Sequence, residues 1–245
     1  MRLTRVHVDL PLAEGLELEL PEGPAGHLGR VLRLGVGDAC VLFNGDGHDY
    51  DARVVAVGKR DMRVAIGAAQ AVANESPLAI TLLQGIARGE KMDLILQKAT
   101  ELGVSAIHPL HSQRSEVKLD EARGAKRLAH WQSVVTAACE QSGRAVVPRV
   151  AAPVPLKVAV RDLPAGGLRL ILDPEASATV ATLSCPKGTP VVLAVGPEGG
   201  WSPLDRDELL TGGFSGVRLG PRILRTETAG LAAIAALQGR FGDLA

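Results

Sequence analysis

The chain has 245 residues, room for one large domain or for a small and a medium one. Apolar residues make up 46% but Phe, Trp and Tyr only 2%, so the core must be built from Leu, Val, Ile and Ala, and a sheet that stacks bases on aromatic rings is not announced. With 27 basic and 27 acidic residues the net charge is zero, so a polyanionic partner would have to meet local clusters rather than an overall field. No apolar run approaches the ~20 residues of a membrane span, and the start, MRLTRVHVDLPL, lacks the apolar stretch of a secretory signal. Cys40, Cys139 and Cys185 lie far apart with no metal-ligand spacing, which reads as buried thiols of a cytoplasmic protein with neither a metal nor a disulfide.

In chain order, residues 1–73 look β-rich. Short apolar or alternating runs at Leu16–Leu20, Ala39–Phe43, Ala52–Val57 and Met62–Ile66 are separated by Gly, Pro, Asn and Asp turns. His27–Leu34 predicts a short helix with Leu28, Val31 and Leu32 on one face. This is the pattern of a small barrel or sandwich, and Asn74-Glu75-Ser76-Pro77 marks its boundary. From 74 to 245 strands alternate with helices. Strands are expected at Ala79–Leu83, Val104–Pro109, Val146–Val150, Leu168–Leu172, Pro190–Val195 and Gly216–Leu219. Helices are expected at Glu90–Leu102, Asp120–Gln141, Pro203–Leu210 and Glu227–Leu237. Such alternation implies an α/β fold with a mostly parallel sheet covered by helices on both faces.

Two glycine-rich bends carry the chemistry. In the first, the apolar strand Val191–Val195 runs into Gly196-Pro197-Glu198-Gly199-Gly200-Trp201, and a helix follows. Ser202 is placed as its N-cap, Pro203 at the first position and Asp205 three residues after the cap. Glycines there let a ligand approach the backbone, and the carboxyl end of a strand is where open α/β sheets bind ligands. It is neither a Walker A loop nor a GxGxxG turn, and taken alone it is equally an unliganded β–α turn. In the second bend, Leu219-Gly220-Pro221-Arg222-Ile223-Leu224-Arg225-Thr226-Glu227-Thr228-Ala229, Thr226 is the expected N-cap and Glu227 suits the positive helix end. Its arginines either line a polar pocket or form a solvated connector.

These bends, with His27-Leu28 and Val31-Leu32-Arg33, Gln97-Lys98-Ala99-Thr100-Glu101-Leu102-Gly103-Val104, and Ala138-Cys139-Glu140-Gln141-Ser142 before Arg144, resemble the RsmE-type branch of the SPOUT RNA methyltransferases over essentially the whole chain. The resemblance implies a PUA-like β-barrel RNA-binding domain over 1–73. It implies a methyltransferase domain over 74–245 with a C-terminal trefoil knot, S-adenosylmethionine as cofactor, and a homodimer. Its activity would be methylation of uridine N3 in 16S ribosomal RNA, free or in the small subunit. Trp201 stands where the family often has Phe, Asp205 where Glu is common, and Val6-His7 replaces aromatic residues.

On this reading Leu172, Gly196, Pro197, Glu198, Gly199, Gly200, Leu219, Gly220, Ile223, Leu224, Arg225 and Thr226 enclose the cofactor. Arg114, Glu140, Arg144, Glu198 and Arg225 are the catalytic candidates, with Glu140 or Glu198 accepting the N3 proton and an arginine stabilising the anion. Arg5, Arg33, Arg114, Lys118 and Arg144 are the RNA-contact candidates, the last three in a stretch, His111–Arg149, with a local excess of basic residues. Alternatives stand beside these. Glu140 is one helical turn from Arg144 and placed to pair with it, Arg114 is equally a solvated loop residue, and Glu198 is equally a backbone clamp. Methylation of a ribose 2′-hydroxyl or another base of ribosomal or transfer RNA, and a non-catalytic RNA-binding assembly factor, are the rival functions.

Overall fold

The computed structural model of the chain describes residues 3–115 and 121–244, with the backbone alone at 121 and 122. It divides into two compact units, residues 1–75 with 139–147, and residues 76–138 with 148–245.

The first unit is built on a five-stranded sheet in the order β1 (Arg5–His7), β3 (Ala39–Phe43), β4 (His48–Val57), β5 (Met62–Ala71), β2 (Glu17–Glu19). All pairs are antiparallel except β1 with β3. Period-two alternation sends Tyr50, Ala52 and Val54 of β4, and Met62, Val64 and Ile66 of β5, into one apolar core with Val6, Leu28, Cys40 and Leu42. Two register shifts bend the long β4–β5 pair. The expected helix at His27–Leu34 takes another form: α1 (Glu22–Gly26) runs into a π-helical turn, His27–Val31. Its wider i→i+5 bonding, Leu32 N–H donating to His27 O, breaks the 3.6-residue spacing, so of the three apolar residues assigned to one face only Leu28 is buried.

What joins 139–147 to this unit is a set of buried arginines. The Arg5 guanidinium forks onto Asp49, with Nη2–Oδ1 at 2.6 Å and Nε–Oδ2 at 3.0 Å, and Nη1 and Nη2 also donate to the carbonyls of Cys139 and Arg144. Arg144 pairs with Glu75, the Asn74 amide donates to Gly143 O at 2.6 Å, and the His7 N–H donates to the Glu140 carboxylate at 2.9 Å. Burial raises the Cys40 and Cys139 thiols to about 11, as expected of inert core thiols; Cys185 is half-buried.

The second unit is a parallel sheet in the order β12 (Ser215–Val217), β10 (Leu168–Leu172), β11 (Val191–Val195), β6 (Ile80–Gly85), β7 (Ala106–His111), β8 (Arg149–Val150), with β9 (Val154–Pro155) also on β7. Every residue of β11 is buried, as a central strand covered on both faces requires. One face packs Leu83, Leu110, Ile171, Val192 and Ala194 against α4 (Leu156–Arg161), α5 (Pro203–Thr211) and Phe214. On the other, the aligned residues Leu170, Leu193, Leu82 and Ile107 make a fully buried row. There α6 (Thr226–Phe241) lies over β11 and packs on α2 (Glu90–Glu101). The Gln238 amide of α6 donates to the carbonyls of Leu102 and Gly103, which end α2. The connection from β10 to β11 makes an isolated parallel bridge, Thr179–Arg218, just past the end of β12, and Arg240 of α6 donates to its Leu183 carbonyl. The chain therefore leaves edge strand β12 and returns to the middle of the sheet with the 173–190 segment laid along its path. α3 (Glu121–Ser142) follows β7. Among the described residues no helix is long and apolar enough to cross a membrane.

Arg5 sets the first prediction. Arg5→Ala leaves Asp49 without its guanidinium partner and takes a donor from the carbonyls of Cys139, Glu140 and Arg144; it is expected to destabilise the protein by about 2–3 kcal/mol, with Arg5→Lys recovering only part because it lacks the planar fork. Chemical denaturation of the three proteins measures it.

Candidate functional site

At the carboxyl ends of β10 and β11 the two glycine-rich bends face each other across a cavity of about 480 Å³. Three backbone features put them there. First, β6 ends at Gly85 directly beneath the first bend: a methyl on Gly85 would lie 2.6 Å from both Cδ and N of Pro197. Second, Gly200 and Gly220 sit at φ +66° and +79°, left-handed conformations that turn the chain around the cavity. Third, the Thr226 hydroxyl donates to Gly196 O at 2.5 Å and accepts from the buried Gln84 amide at 3.1 Å, so one side chain fastens the second bend to the first and both to β6. That commitment explains a difference from the expected cap. Arg225, not Thr226, occupies the N-cap of α6, and Thr226 begins the helix. α5 starts as the residues dictate, with Ser202 and Asp205 closing a reciprocal capping box and Pro203 at its first position.

Of the residues assigned to a cofactor from the sequence, Leu172, Gly196, Pro197, Glu198, Gly200, Leu219, Gly220, Ile223, Leu224, Arg225 and Thr226 line the cavity. Gly199 does not. It is the contact point for the loop after β7, where a Cβ would meet Arg114 Cβ at 3.1 Å, and the Arg114 guanidinium donates to Gly199 O. Gln113 N–H donates to Asp205 in the α5 cap, so Arg114 buttresses the bend from behind and is not among the lining residues. The sequence reading missed Asp173, Arg206 and Arg218 on the cavity wall. Asp173, nearly buried, takes both Nη atoms of Arg206 at 3.2 and 2.5 Å. The signal for Asp173 was present in Asp173-Pro174, a turn at the end of an apolar strand; nothing in the sequence singles out Arg206.

Glu198 combines a wall position with clamping. Its Oε1 accepts the Arg88 N–H at 3.0 Å and lies 3.7 Å from Lys91 Nζ. Burial alone would raise this carboxyl, but the N–H groups of Arg88 and Glu198 and the charges of Lys91 and Arg88 outweigh it and hold the acid below its usual range. A carboxylate so held is ionised at neutral pH and a weak proton acceptor.

Three assignments made from the sequence need correction. Arg5 and Arg144, 8% and 4% exposed, are committed to Asp49, Glu75 and backbone carbonyls inside the first unit, so they are not free to contact RNA, and Arg144 is not placed as a catalytic group. Glu140 belongs to the same unit, its carboxylate engaged by the His7 N–H, and is not among the residues lining the cavity. Arg33 is exposed at φ +58°. Lys118 lies outside the described residues.

The cavity walls fit a nucleoside carrying a charged amino-acid tail. The volume is in the ~300–1,000 Å³ range of small-molecule sites. Leu172, Val217, Leu219 and Leu224 supply apolar surface, Gly196 and Gly200 bare backbone, and Asp173, Arg206 and Arg225 charges of both signs. Gly85→Ala tests how far this shape depends on one close approach. Pro197 must shift, and we expect a loss of about 1–3 kcal/mol in stability, read as a lower melting temperature.

Comparison with known proteins identifies the family. The RNA methyltransferase domain family matches residues 74–238, and the RNA methyltransferase PUA domain family matches residues 25–66. Ribosomal RNA small subunit methyltransferase E of Buchnera aphidicola subsp. Schizaphis graminum is 32% identical over 243 residues, 99% of this chain and 98% of its own. The Bacillus subtilis protein of the same name is 30% identical over 218 residues, 86% of this chain and 85% of its own. Among solved structures, ribosomal RNA small subunit methyltransferase E from Neisseria gonorrhoeae, bound to S-adenosyl methionine, superposes with a TM-score of 0.95 at 41% identity and covers 100% of both chains. A Legionella pneumophila protein with bound SAM superposes with the same TM-score at 39% identity, again over 100% of both chains. With its PUA-like first unit and parallel-sheet second unit, the chain belongs to the ribosomal RNA small subunit methyltransferase E family.

Proposed function

We propose that this protein transfers the methyl group of S-adenosylmethionine to N3 of a uridine in 16S ribosomal RNA, in the cytoplasm and as a homodimer. The observation that carries the reading is the cavity between the two bends, in a chain that superposes over its whole length on two proteins solved with that cofactor. The trefoil knot is part of the same reading; the return of α6 from edge strand β12, with the 173–190 segment along it, supports it.

When bound, S-adenosylmethionine supplies an electrophilic sulfonium methyl. The residues of this chain have three tasks. The bends must hold the donor so that N3 meets the methyl in line, and positioning of that kind is worth several kcal/mol of barrier. Water must be kept from the apolar end of the pocket, which Leu172, Val217 and Leu224 do. The third task is electrostatic. Uracil N3 is a poor nucleophile until its proton leaves, and the negative charge then spreads onto O2 and O4. Arg218, Arg222 and Arg225 are exposed cations on the cavity wall, and among the described residues their guanidinium groups have no carboxylate partner. Positive potential there lowers the cost of the uracil anion, as any cation favours a neighbouring anionic form, and Arg225 at the start of α6 is the one we assign to O2 or O4. The proton then passes to water at the open rim. Glu198, held as a clamp, is not assigned that role. The same arginines suit the phosphates of an RNA strand, with Arg33 a further contact on the first unit.

Purified protein, S-adenosylmethionine and small-subunit RNA, followed by nucleoside mass spectrometry, test the reading. It requires 3-methyluridine as the product; 2′-O-methylated nucleosides, another methylated base, or none would each overturn it. Arg225→Ala is expected to lower the rate constant about a hundredfold. Glu140→Gln should leave it within about threefold, the range left when a group acts only within the fold.

A further inference from the structure

Lys91 occupies an unfavourable place for a cation. It is the second residue of α2, in the first turn, where the helix dipole repels positive charge and where Glu90 and Asp93 are the expected residues. Its ammonium lies 3.7 Å from Glu198 Oε1 and 3.5 Å from Glu227 Oε1. Glu198 belongs to the first bend and lines the cavity. Glu227 is the second residue of α6, at the helical end of the second bend, and its other oxygen, Oε2, is buried with no hydrogen-bond partner among the described residues. Lys91 itself is not on the cavity wall. One cation on a third element thus touches a carboxylate from each of the two bends.

We propose that Lys91 is a positioning residue for the cofactor: it holds the 196–200 bend and the start of α6 at the separation that S-adenosylmethionine requires. The proposal rests on the cavity being the cofactor site. The Thr226 hydroxyl ties the bends at their base, through Gly196 O. Lys91 ties them through side chains, with the Arg88 N–H holding Glu198 in place to receive it. Without the ammonium, two carboxylates on opposite bends face a common space and repel, and the separation of the bends loses its second restraint. Because Lys91 touches neither the methyl donor nor the acceptor, its removal acts on binding of the cofactor and not on the transfer step.

The test uses the full chain. Isothermal titration with S-adenosylmethionine and steady-state methylation of small-subunit RNA are measured for wild type and for Lys91→Met, Lys91→Arg and Lys91→Met/Glu227→Gln. Because the ion pairs are partly exposed, Lys91→Met should raise Kd and the cofactor KM by about threefold to tenfold, with kcat at saturating cofactor kept within about twofold. Lys91→Arg should restore most of the affinity. The double variant, which removes the repulsion along with the cation, should bind more tightly than Lys91→Met alone, a reversal that loss of stability would not produce. An unchanged Kd in Lys91→Met, a fall in kcat with KM unchanged, or a double variant weaker than the single one would overturn the proposal. Absence of binding by wild type would instead overturn the cofactor reading on which it rests.

Discussion

Much of the second unit is organised around a single hydroxyl. Thr226 sits where the closing helix begins, with Gly196 O on one side and the Gln84 amide on the other. Gln84 is fully buried among apolar strands, and a polar side chain is tolerated there only if it is hydrogen-bonded. Its amide nitrogen is satisfied by the hydroxyl and by Gly85 O, while Oε1 has no hydrogen-bond partner among the described residues, so the bond that settles the buried N–H group also fixes the distance between two loops. The cavity between the bends is a by-product of that settlement. The strands below are buried and close-packed, and Gly85 lets Pro197 come down onto them, so the two bends stand on a packed floor.

The wall of the cavity was largely legible because its information is local. A strand that ends in glycines and restarts as a capped helix has a signature within a dozen residues, and Ser202, Pro203 and Asp205 fold as that signature requires. What was not legible depended on contacts distant in sequence. Arg5 is 44 residues from Asp49 and more than 130 from the carbonyls it binds, and nothing in the string Thr4-Arg5-Val6 separates a buried strut from a hand for phosphate. Arg144 misled in the same way: a basic residue after a charged helix reads as surface, and Glu75, its partner, lies 69 residues away. The π-helical turn at His27–Val31 defeated the reading for a different reason, since a period count assumes 3.6 residues per turn and one altered turn scrambles the face.

Charge in this protein has two unlike uses, and exposure separates them. Arg5 and Arg144 are desolvated and held by several acceptors, which gives them structural value and removes them from ligand recognition. Arg218, Arg222 and Arg225 are solvated, lie on one loop beside a cavity, and stand near Ile223, which is 85% exposed. A neutral chain can therefore present a positive surface locally while Arg5 and Arg144 are neutralised within the fold by Asp49 and Glu75.

The first unit is discontinuous along the polypeptide: residues 139–147 complete what residues 1–75 begin. The guanidinium of Arg5 and the amide of Asn74 find their acceptors in that later stretch. During synthesis the ribosome releases the amino-terminal strands well before those acceptors exist, so an early portion of the chain must wait, with buried-to-be donors still hydrated, until the end of a long helix emerges. An excised amino-terminal fragment would remain in that waiting condition permanently, which makes the two-part layout a constraint on how the molecule can be made as well as on how it stands.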